Sequence, residues 1–390
     1  MTRAEIVVDL AAVRHNVERL REFVGVPVMA VVKGNAYGHG LLECGRAARE
    51  GGAAWLGVAT LDEALALRAG GDRGRILCWL TVPGEDLAPA VAAGIDVTCY
   101  SVAELESLAD AARRAHRRAR LQLKVDTGLS RGGATADEWL DVVDRARVGE
   151  EQAHWKVAGI WSHFASSEVP EDPFNDAQET AFRAAVEAAE AHGLTPAVTH
   201  MANSAAALLR PSSRFGLVRC GVSVYGVDPA PGLAASPWPE LGLRAAMTVR
   251  AELALVKAIR AGASVSYNHT WTASRRTTLG LVPVGYADGI LRSAGNRAEV
   301  LLGGRRRPVR GNVCMDQFVV DLEGDHPQAG DEVVLWGPGD AGEPTVQDWA
   351  EASGTIAYEL VTRVGGRLTR RFVDSERDAA VVPAGEDVPA

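Results

Sequence analysis

The chain has 390 residues, of which 47% are hydrophobic, and its formal net charge is -9 at pH 7. This length exceeds what one ordinary hydrophobic core supports, so two domains are expected. The net negative charge argues against a nucleic-acid partner, because phosphate binding needs concentrated positive charge.

The N-terminal segment and the cysteines bear on the compartment of the protein. No apolar signal core follows Met1, and no run reaches the roughly 18 apolar residues that a membrane-spanning helix needs. The five cysteines are scattered and never form a Cys-x-x-Cys pair, which favours reduced thiols over disulfides or a zinc site. We therefore expect a cytoplasmic protein with no metal and no membrane partner.

The chain from its N-terminus to residue 235 alternates short apolar runs with amphipathic segments such as Leu61 to Ala69. Eight β-α repeats favour a closed parallel barrel, so within an α/β fold we predict a (β/α)8 TIM-type barrel domain over residues 1–235. Glu5 to Leu10 alternates like a strand and can join either domain. The eight predicted strands are Val26 to Lys33, Trp55 to Ala59, Ile76 to Trp79, Asp96 to Cys99, Leu121 to Val125, Val157 to Trp161, Ala197 to Met201 and Leu217 to Cys220.

A proline-containing linker, Asp228 to Trp238, precedes a change of pattern. The chain beyond it is predicted to form a second, mostly β domain over residues 236–380, and residues 381–390 are predicted to be a flexible tail. The strands predicted in this domain are Met247 to Ile259, Thr277 to Val284, Ala298 to Leu301, Phe318 to Leu322 and Asp331 to Trp336.

Lys33 is the first candidate for chemistry, because it is one of only four lysines in a chain with 37 arginines. Arginine stays protonated, whereas a desolvated lysine can lose its proton and form a Schiff base with an aldehyde. A lysine that follows a strand is more often a solvated surface charge. Here, however, it follows the apolar run Met29 to Val32 and precedes Gly34 and Gly38, which allow close backbone approach.

The positions of five polar residues support a site at one end of the barrel. Lys33, Lys124, His163, His200 and Arg219 each fall at or just beyond the end of a predicted strand. In a β/α barrel the chemistry gathers at the carboxyl ends of the strands. This agreement does not depend on any motif.

Nine blocks of sequence resemble those of the alanine racemases, a family of pyridoxal-phosphate enzymes, and they occur in the family's order along nearly the whole chain. A single Lys-x-Asn-x-Tyr match is weak, whereas nine ordered blocks make coincidence implausible. The blocks are Val32 to Gly40, Lys124 to Arg131, Ser162 to Phe164, His200 to Ser204, Arg219 to Val222, Val265 to Tyr267, Gly285 to Gly289, Cys314 to Gln317, and Tyr358 with Glu359.

The resemblance implies that Lys33 holds the cofactor and then moves a proton on one face of the substrate α carbon. Racemisation needs proton transfer on both faces, and the resemblance makes Tyr267 the second base, contributed by the other subunit of a head-to-tail homodimer. Standing alone, Tyr267 is more often an amphipathic strand residue at a domain surface.

The resemblance also implies how the cofactor is held. Arg219 matches the arginine that faces the pyridine nitrogen, with His163 and His200 around it. A guanidinium hardly gives up a proton, so the ring becomes a weaker electron sink and proton return is favoured over transamination or decarboxylation. The phosphate is assigned neutral donors, namely Tyr37, Asn203, Ser204, Tyr358 and the backbone of Gly221 and Val222. Asn203 and Ser204 can instead be a plain helix cap.

The remaining implied roles concern the substrate. Arg131 is implied to hold the cofactor phenolic oxygen or the substrate carboxylate, and Met315 to complete carboxylate binding. In many family members the lysine at the position of Lys124 is carbamylated and orients that arginine. Tyr286 and Tyr358 narrow the entrance, near which Asp316, Arg292 and Glu168 are also expected. Two residues depart from the family pattern, since Gly34 stands where Ala or Ser is common and Asn312 stands where an entrance arginine is frequent.

The function implied by the resemblance is the interconversion of L-alanine and D-alanine, which supplies D-alanine for peptidoglycan. A racemase of another small amino acid, such as serine, is an alternative, because one methylene changes binding by only about 1–3 kcal/mol. A barrel-type pyridoxal-phosphate decarboxylase is disfavoured by Arg219 and Tyr267. A cofactor-binding protein without enzymatic activity is disfavoured by the second domain.

Overall fold

The computed structural model describes residues 3–234 and 236–381, so the predicted tail over 381–390 lies outside the described residues apart from Val381. The strands are β1 (Ala4–Asp9), β2 (Val28–Val31), β3 (Trp55–Val58), β4 (Arg75–Cys78), β5 (Asp96–Cys99), β6 (Ala119–Lys124), β7 (Trp155–Trp161), β8 (Val198–His200), β9 (Val218–Cys220), β10 (Met247–Glu252), β11 (Leu255–Ile259), β12 (Ser264–Val265), β13 (Trp271–Thr272), β14 (Thr277–Val282), β15 (Glu299–Leu302), β16 (Arg305–Arg310), β17 (Phe318–Asp321), β18 (Glu332–Trp336) and β19 (Thr369–Val373).

The helices alternate with the strands in the first half of the chain and become sparse in the second. The helices are α1 (Leu10–Val24), α2 (Lys33–Tyr37), α3 (Leu41–Glu50), α4 (Leu61–Ala69), α5 (Ala88–Ala92), α6 (Val102–Arg114), α7 (Trp139–Glu151), α8 (Pro173–Ala191), α9 (Ser204–Leu209), α10 (Trp238–Leu241), α11 (Val346–Ser353), α12 (Ala357–Arg363) and α13 (Ser375–Val381). No described helix combines the length and the apolar character that crossing a membrane requires.

Strands β2 to β9 form one parallel sheet in the order β8-β7-β6-β5-β4-β3-β2-β9. The sheet nearly closes on itself, because the Arg219 amide donates to the Ala202 carbonyl at 2.9 Å and the Gly216 amide donates to the Thr199 carbonyl at 3.1 Å. Helices cover the outside, so strands such as β2, β3 and β5 are buried throughout. Each of the eight predicted strands overlaps one of these, and the predicted (β/α)8 barrel is confirmed.

The barrel interior contains both an apolar cluster and buried polar groups. Met29, Trp55, Leu77 and Leu217 pack together as a cluster separate from the main core. Residues two apart on a strand share a face, so Arg219 points into the barrel above Leu217. The interior of this barrel is therefore a packed core that carries buried polar groups at its carboxyl end.

The second domain contains a nine-stranded sheet in the order β11-β14-β17-β16-β15-β18-β10-β1-β19, which confirms its mostly β character. Strand β1, which could have joined either domain, pairs here with β10 and β19, so the first residues of the predicted 1–235 domain belong structurally to this sheet. The predicted strand Met247 to Ile259 is two strands. The chain changes partner strand at the break, because the Leu253 amide donates to the Asp331 carbonyl and the Ala254 amide donates to the Leu281 carbonyl. Helices α11 and α12 were not expected from the sequence.

A small hairpin projects from this domain. Strands β12 and β13 pair through Ser264 with Thr272 and Val265 with Trp271. The connecting turn carries Tyr267, and Ser266, Asn268 and His269 within it all have positive φ. The sequence thus builds a tight turn that presents one tyrosine at its tip.

Candidate active site

Lys33 begins a left-handed turn at the carboxyl end of β2. The φ angles of Gly34, Asn35, Ala36 and Tyr37 are 63, 55, 56 and 52°. Left-handed backbone costs roughly 1–2 kcal/mol for each residue other than glycine, so the surrounding structure must hold this turn in place. The turn exposes Gly34 and Asn35 while it buries Ala36 and Tyr37.

Two side chains brace this turn. Glu63 accepts from the amides of Gly34 at 2.6 Å and Asn35 at 3.3 Å, while its other oxygen completes the capping box of α4 with Thr60. His39, fully buried, contacts the carbonyls of Ala36 and Tyr37 through Nδ1 at 3.0 and 2.9 Å. Carbonyls only accept, so Nδ1 carries the proton. Neither brace was identified from the sequence, although the Thr60-x-x-Glu63 pattern is a recognisable capping box.

Gly34, the departure next to Lys33, occupies the backbone region that favours glycine. A Cβ at this position would meet no atom within 4 Å. We expect Gly34→Ala to lower the free energy of unfolding by about 1 kcal/mol, through backbone strain alone, and to leave activity intact. Gly25→Ala is the matched control, because Gly25 has a φ of 69° and equally open surroundings in a helix cap far from the site. Urea unfolding of both variants tests this, and a clearly larger loss for Gly34→Ala would contradict it.

Positive charges crowd the carboxyl end of the barrel. The pKa of Lys33 is lowered by burial and by the Arg131 guanidinium, against an opposing effect of Glu63. Burial, then Arg219 and Arg131, lower the pKa of Lys124 to about 8. Lys124 Nζ lies 4.7 Å from the ring centroid of Trp161. Both amines are therefore easier to deprotonate than an ordinary lysine, as a nucleophile or proton carrier requires.

Arg219 is buried and held by four acceptors. One terminal nitrogen lies 3.0 Å from His200 Nδ1, and the other lies 2.9 Å from His163 Nδ1. The second nitrogen also donates to the carbonyls of Ser162 at 2.8 Å and Met201 at 3.0 Å. Because a guanidinium only donates, both Nδ1 atoms accept and both histidines carry their proton on Nε2. Burial and Arg219 hold the pKa of His163 and of His200 well below the usual range, so both rings are neutral.

Neutral hydrogen-bonding groups collect where β8 and β9 end. Ser204 Oγ accepts from the Gly221 amide at 2.8 Å. A Cβ on Gly221 would lie 2.3 Å from the Tyr37 hydroxyl, so only glycine allows this close approach. Tyr358 lies beside Tyr37, with ring centroids 6.3 Å apart, and burial raises the pKa of both phenols. These groups suit a phosphate, which accepts hydrogen bonds from hydroxyls and amides.

Asn203 and Val222 flank this group. Asn203 Oδ1 accepts from the Ala206 amide at 3.0 Å and from Ser167 Oγ at 2.9 Å, so it caps α9 as the simpler reading of the sequence expected. Val222 is buried and opens the 3-10 turn Val222–Tyr225, which places its amide after Gly221 at a strand-to-helix junction. Such junctions present unpaired amides.

A cavity of about 660 Å³, a size typical of small-molecule sites, lies beside these groups, but Lys33, Tyr37 and Arg219 are not among its lining residues. Its walls come from the loops after β6, β7, β8 and β9 and from α12 of the second domain. The predicted site residues that line it are Arg131, His163, Glu168, Asn203 and Tyr358.

Other predicted site residues cluster on the second domain, outside the lining of this cavity. The Tyr286 amide donates to the Cys314 carbonyl at 3.0 Å, and the Ala287 amide donates to Met315 at 2.9 Å, so the two sequence blocks meet. Asp316 accepts from Arg367 at 2.6 Å. Arg292 opens a short 3-10 turn, Arg292–Ala294. The chain thus carries two separate groups of candidate residues.

Tyr267 belongs to the second group and is 69% exposed, while Met315 is 54% exposed. The departure at Asn312 has a structural role here, since its side chain donates to the Tyr267 carbonyl at 2.8 Å and its own carbonyl accepts from Ser266 Oγ at 2.7 Å. Asn312 therefore steadies the turn that presents Tyr267, a contact that sequence reasoning did not foresee.

Comparison with known proteins gives a consistent result. Residues 8–229 match the family model of the alanine racemase N-terminal domain, and residues 246–372 match that of the alanine racemase C-terminal domain. The alanine racemase of Frankia casuarinae is 52% identical over 95% of this chain and 96% of its own length. The crystal structure of alanine racemase from D-cycloserine-producing Streptomyces lavendulae superposes with a TM-score of 0.94, at 49% identity over 96% of this chain and 97% of that one.

A more distant structure bears on the cofactor. The alanine racemase of Bartonella henselae, described with covalently bound pyridoxal phosphate, has a TM-score of 0.85 and is 28% identical over 96% of this chain and 100% of its own. The family models cover both domains, and the relatives align over nearly their whole length. This chain therefore belongs to the alanine racemase family.

Proposed function

We propose that this chain interconverts L-alanine and D-alanine with pyridoxal phosphate as its cofactor. The observation that carries the proposal is the convergence of a desolvated lysine, a buried arginine and a set of neutral donors at the carboxyl end of one barrel. Family membership supports the same activity.

The residues present fit pyridoxal phosphate. The hydroxyls of Ser204 and Tyr37 offer the phosphate uncharged donors, and the Gly221 amide holds Ser204 in place, in a space that a Cβ on Gly221 would fill. Lys33 offers an amine with a lowered pKa to the aldehyde, and Arg219 offers a fixed cation to the ring nitrogen. When bound, the cofactor withdraws electrons from the substrate α carbon and so acidifies its hydrogen.

Residues of the chain then transfer protons at the α carbon and hold the substrate carboxylate. Lys33, once its amine is free, takes or returns a proton on one face of the α carbon. Arg131 and the Met315 backbone are proposed to bind the substrate carboxylate. Lys124 is proposed to orient Arg131 as a carbamate, because its unmodified amine and the Arg131 guanidinium repel each other. Burial lowers the pKa of Arg219 to about 9, and its four acceptors, two of which are neutral histidines, favour the protonated form.

The second base is proposed to come from another copy of the chain. Tyr267 stands exposed at the tip of a braced turn and is not among the described residues that line the cavity of its own chain. A head-to-tail homodimer is the arrangement in which this tip can enter the barrel site of a partner. Tyr286, Asp316 and Arg292 would then line the entrance together with Glu168 and Tyr358.

The proposal includes a small substrate and a place in the cell. Two tyrosines at the entrance, Tyr286 and Tyr358, leave room for little beyond a methyl side chain. The product D-alanine would serve peptidoglycan synthesis in the cytoplasm, where the thiols of the five cysteines would stay reduced.

The test is purification followed by two measurements. Visible absorbance should report lysine-bound pyridoxal phosphate, and a panel of L-amino acids should show inversion of alanine well above serine or 2-aminobutyrate. Release of carbon dioxide without inversion would instead indicate a decarboxylase, and cofactor binding without turnover would indicate a binding protein. Faster inversion of serine than of alanine would reassign the substrate.

The lowered pKa of Lys33 gives a prediction about pH. The free amine is the reactive form, so the rate at which cofactor-free protein binds pyridoxal phosphate covalently should rise with pH, with a midpoint below the ordinary lysine value. Arg131 is one cause of the shift, so Arg131→Gln should move the midpoint to higher pH. Stopped-flow absorbance across a pH series measures both, and an unchanged midpoint in Arg131→Gln would contradict this electrostatic account.

A further inference from the structure

A row of hydrogen-bonded, buried polar side chains runs through the barrel interior below Arg219. Asp96 on β5 is joined to Gln122 on β6, Gln122 to His200 on β8, and His200 to Arg219 on β9. The distances are 3.1 Å from Gln122 Nε2 to Asp96 Oδ2, 3.3 Å from His200 Nε2 to Gln122 Oε1, and 3.0 Å from Arg219 to His200 Nδ1. Asp96, Gln122 and His200 have no exposed surface.

Asp96 places a negative charge at the far end of this row of side chains. Arg75 Nη2 lies 2.6 Å from Oδ2, and Arg120 Nε lies 2.7 Å from Oδ1. Burial raises the pKa of Asp96 to about 6, against the opposing effect of Arg75, so the group is a carboxylate at mildly alkaline pH. A carboxylate has no hydrogen to give and can only accept.

The carboxylate of Asp96 at one end and the guanidinium of Arg219 at the other require the same direction for every hydrogen bond between them. Gln122 must turn its amide nitrogen to the carboxylate, which leaves its oxygen facing His200. His200 Nε2 must then donate to that oxygen, so Nδ1 is the acceptor that Arg219 needs. The other neutral tautomer would place an N–H of His200 against an N–H of Arg219, and it would leave both buried donors unsatisfied.

The fold makes room for this arrangement. Gln122 on β6 reaches β8 by crossing β7 at Gly159, its register partner, where a Cβ would lie 2.3 Å from Gln122 Oε1. On the other side, Trp161 stacks on the His200 ring with centroids 5.7 Å apart and an interplanar angle of 8°. The ring therefore cannot turn freely, and its tautomer decides what it offers Arg219.

We propose that Gln122 and Asp96 are positioning residues that hold His200 as its Nε2–H tautomer and thereby fix the orientation of Arg219. The proposal rests on the proposed function only in that Arg219 faces the ring nitrogen of the cofactor. Neither Asp96 nor Gln122 has exposed surface, so both act through His200.

The test replaces Gln122 with methionine, which keeps the length of the side chain and removes both polar atoms. Thr98→Val is the matched control, because Thr98 lies two residues from Asp96 on the same strand and its buried hydroxyl has no partner among the described residues. Histidine labelled with ¹⁵N, assigned with His200→Gln, reports the tautomer at about pH 8, where Asp96 is ionised. We expect one Nε2–H form in the parent protein and in Thr98→Val. In Gln122→Met only Arg219 still favours this tautomer, and the Nε2–H group loses its acceptor, so a minor population of the Nδ1–H form should appear.

Kinetics of the loaded enzyme provide a second readout. We expect kcat of Gln122→Met to fall by about ten-fold while KM stays within about two-fold of the parent value, the usual effect of losing a residue that orients a functional group. Thr98→Val should match the parent in both constants. If Gln122→Met does not fold, Asp96→Asn replaces it, since an amide can face either way and no longer fixes the polarity. A single Nε2–H tautomer in the variant overturns the proposal whatever the activity, whereas a parent protein without racemase activity overturns the proposed function and leaves the tautomer result standing.

Discussion

Lys33→Ala is expected to abolish racemisation, with a loss of at least about a thousand-fold, and to remove the visible absorbance of lysine-bound cofactor. Two proposed tasks fall on the same amine, covalent attachment of the cofactor and proton transfer on one face of the α carbon. No other lysine can replace it, because Lys124 is the only other one at this end of the barrel among the described residues, and it lies on a different strand.

Lys33→Arg separates the chemistry of this residue from its charge. Arginine keeps a positive group at the end of β2 but remains protonated, so Lys33→Arg should be as inactive as the Lys33→Ala variant. Lys156→Ala is the control, since Lys156 is exposed and pairs with Glu150. Circular dichroism and thermal unfolding should show all three variants folded. Retention of the covalent absorbance in either Lys33 variant would assign the attachment to another residue.

Local sequence patterns predicted the barrel, because each strand is a short apolar run. The candidate catalytic residues lie at or just beyond the carboxyl ends of these runs. Arg219 and Lys33 stand out for this reason. The left-handed turn after Lys33 could not be predicted in the same way, since Gly34 and Asn35 adopt positive φ readily but Ala36 and Tyr37 do not. That turn exists because Glu63 and His39 bind its backbone. The His39 contacts are local in sequence, whereas the Glu63 contact depends on the tertiary structure.

The connection from Asp96 to Arg219 shows a further limit of local patterns. Gln122 reads as one polar residue in an apolar strand, and nothing nearby in sequence indicates that it crosses Gly159 to reach His200. Helices α11 and α12 were missed because they are short and lie within a β-rich region. Tyr358 on α12 was identified through family resemblance alone, and its position beside Tyr37 required the folded chain.

Tyr267→Phe is expected to lower the rate of racemisation by roughly 10²–10⁴-fold, the usual contribution of a positioned acid or base. Phenylalanine keeps the ring and removes only the hydroxyl, so the turn braced by Asn312 should survive. With Lys33 intact, one enantiomer of alanine should still exchange its α hydrogen with deuterium from solvent while inversion is lost. Tyr100→Phe is the control, because Tyr100 lies on the barrel outside the proposed site.

Mixing two inactive variants tests where Tyr267 acts. In a hybrid dimer of Lys33→Ala with Tyr267→Phe, the subunit that keeps Lys33 receives Tyr267 from its partner, so one of the two sites is complete. Random exchange of equal amounts should therefore restore roughly a quarter of the parent activity, since about half of the dimers are hybrids and each has one working site. If Tyr267 acted within its own chain, each subunit would lack one of the two bases and mixing would restore nothing. Equal activity of Tyr267→Phe and the parent would remove the hydroxyl from the mechanism altogether, and Lys33 would then have to serve both faces of the α carbon or share the task with another group.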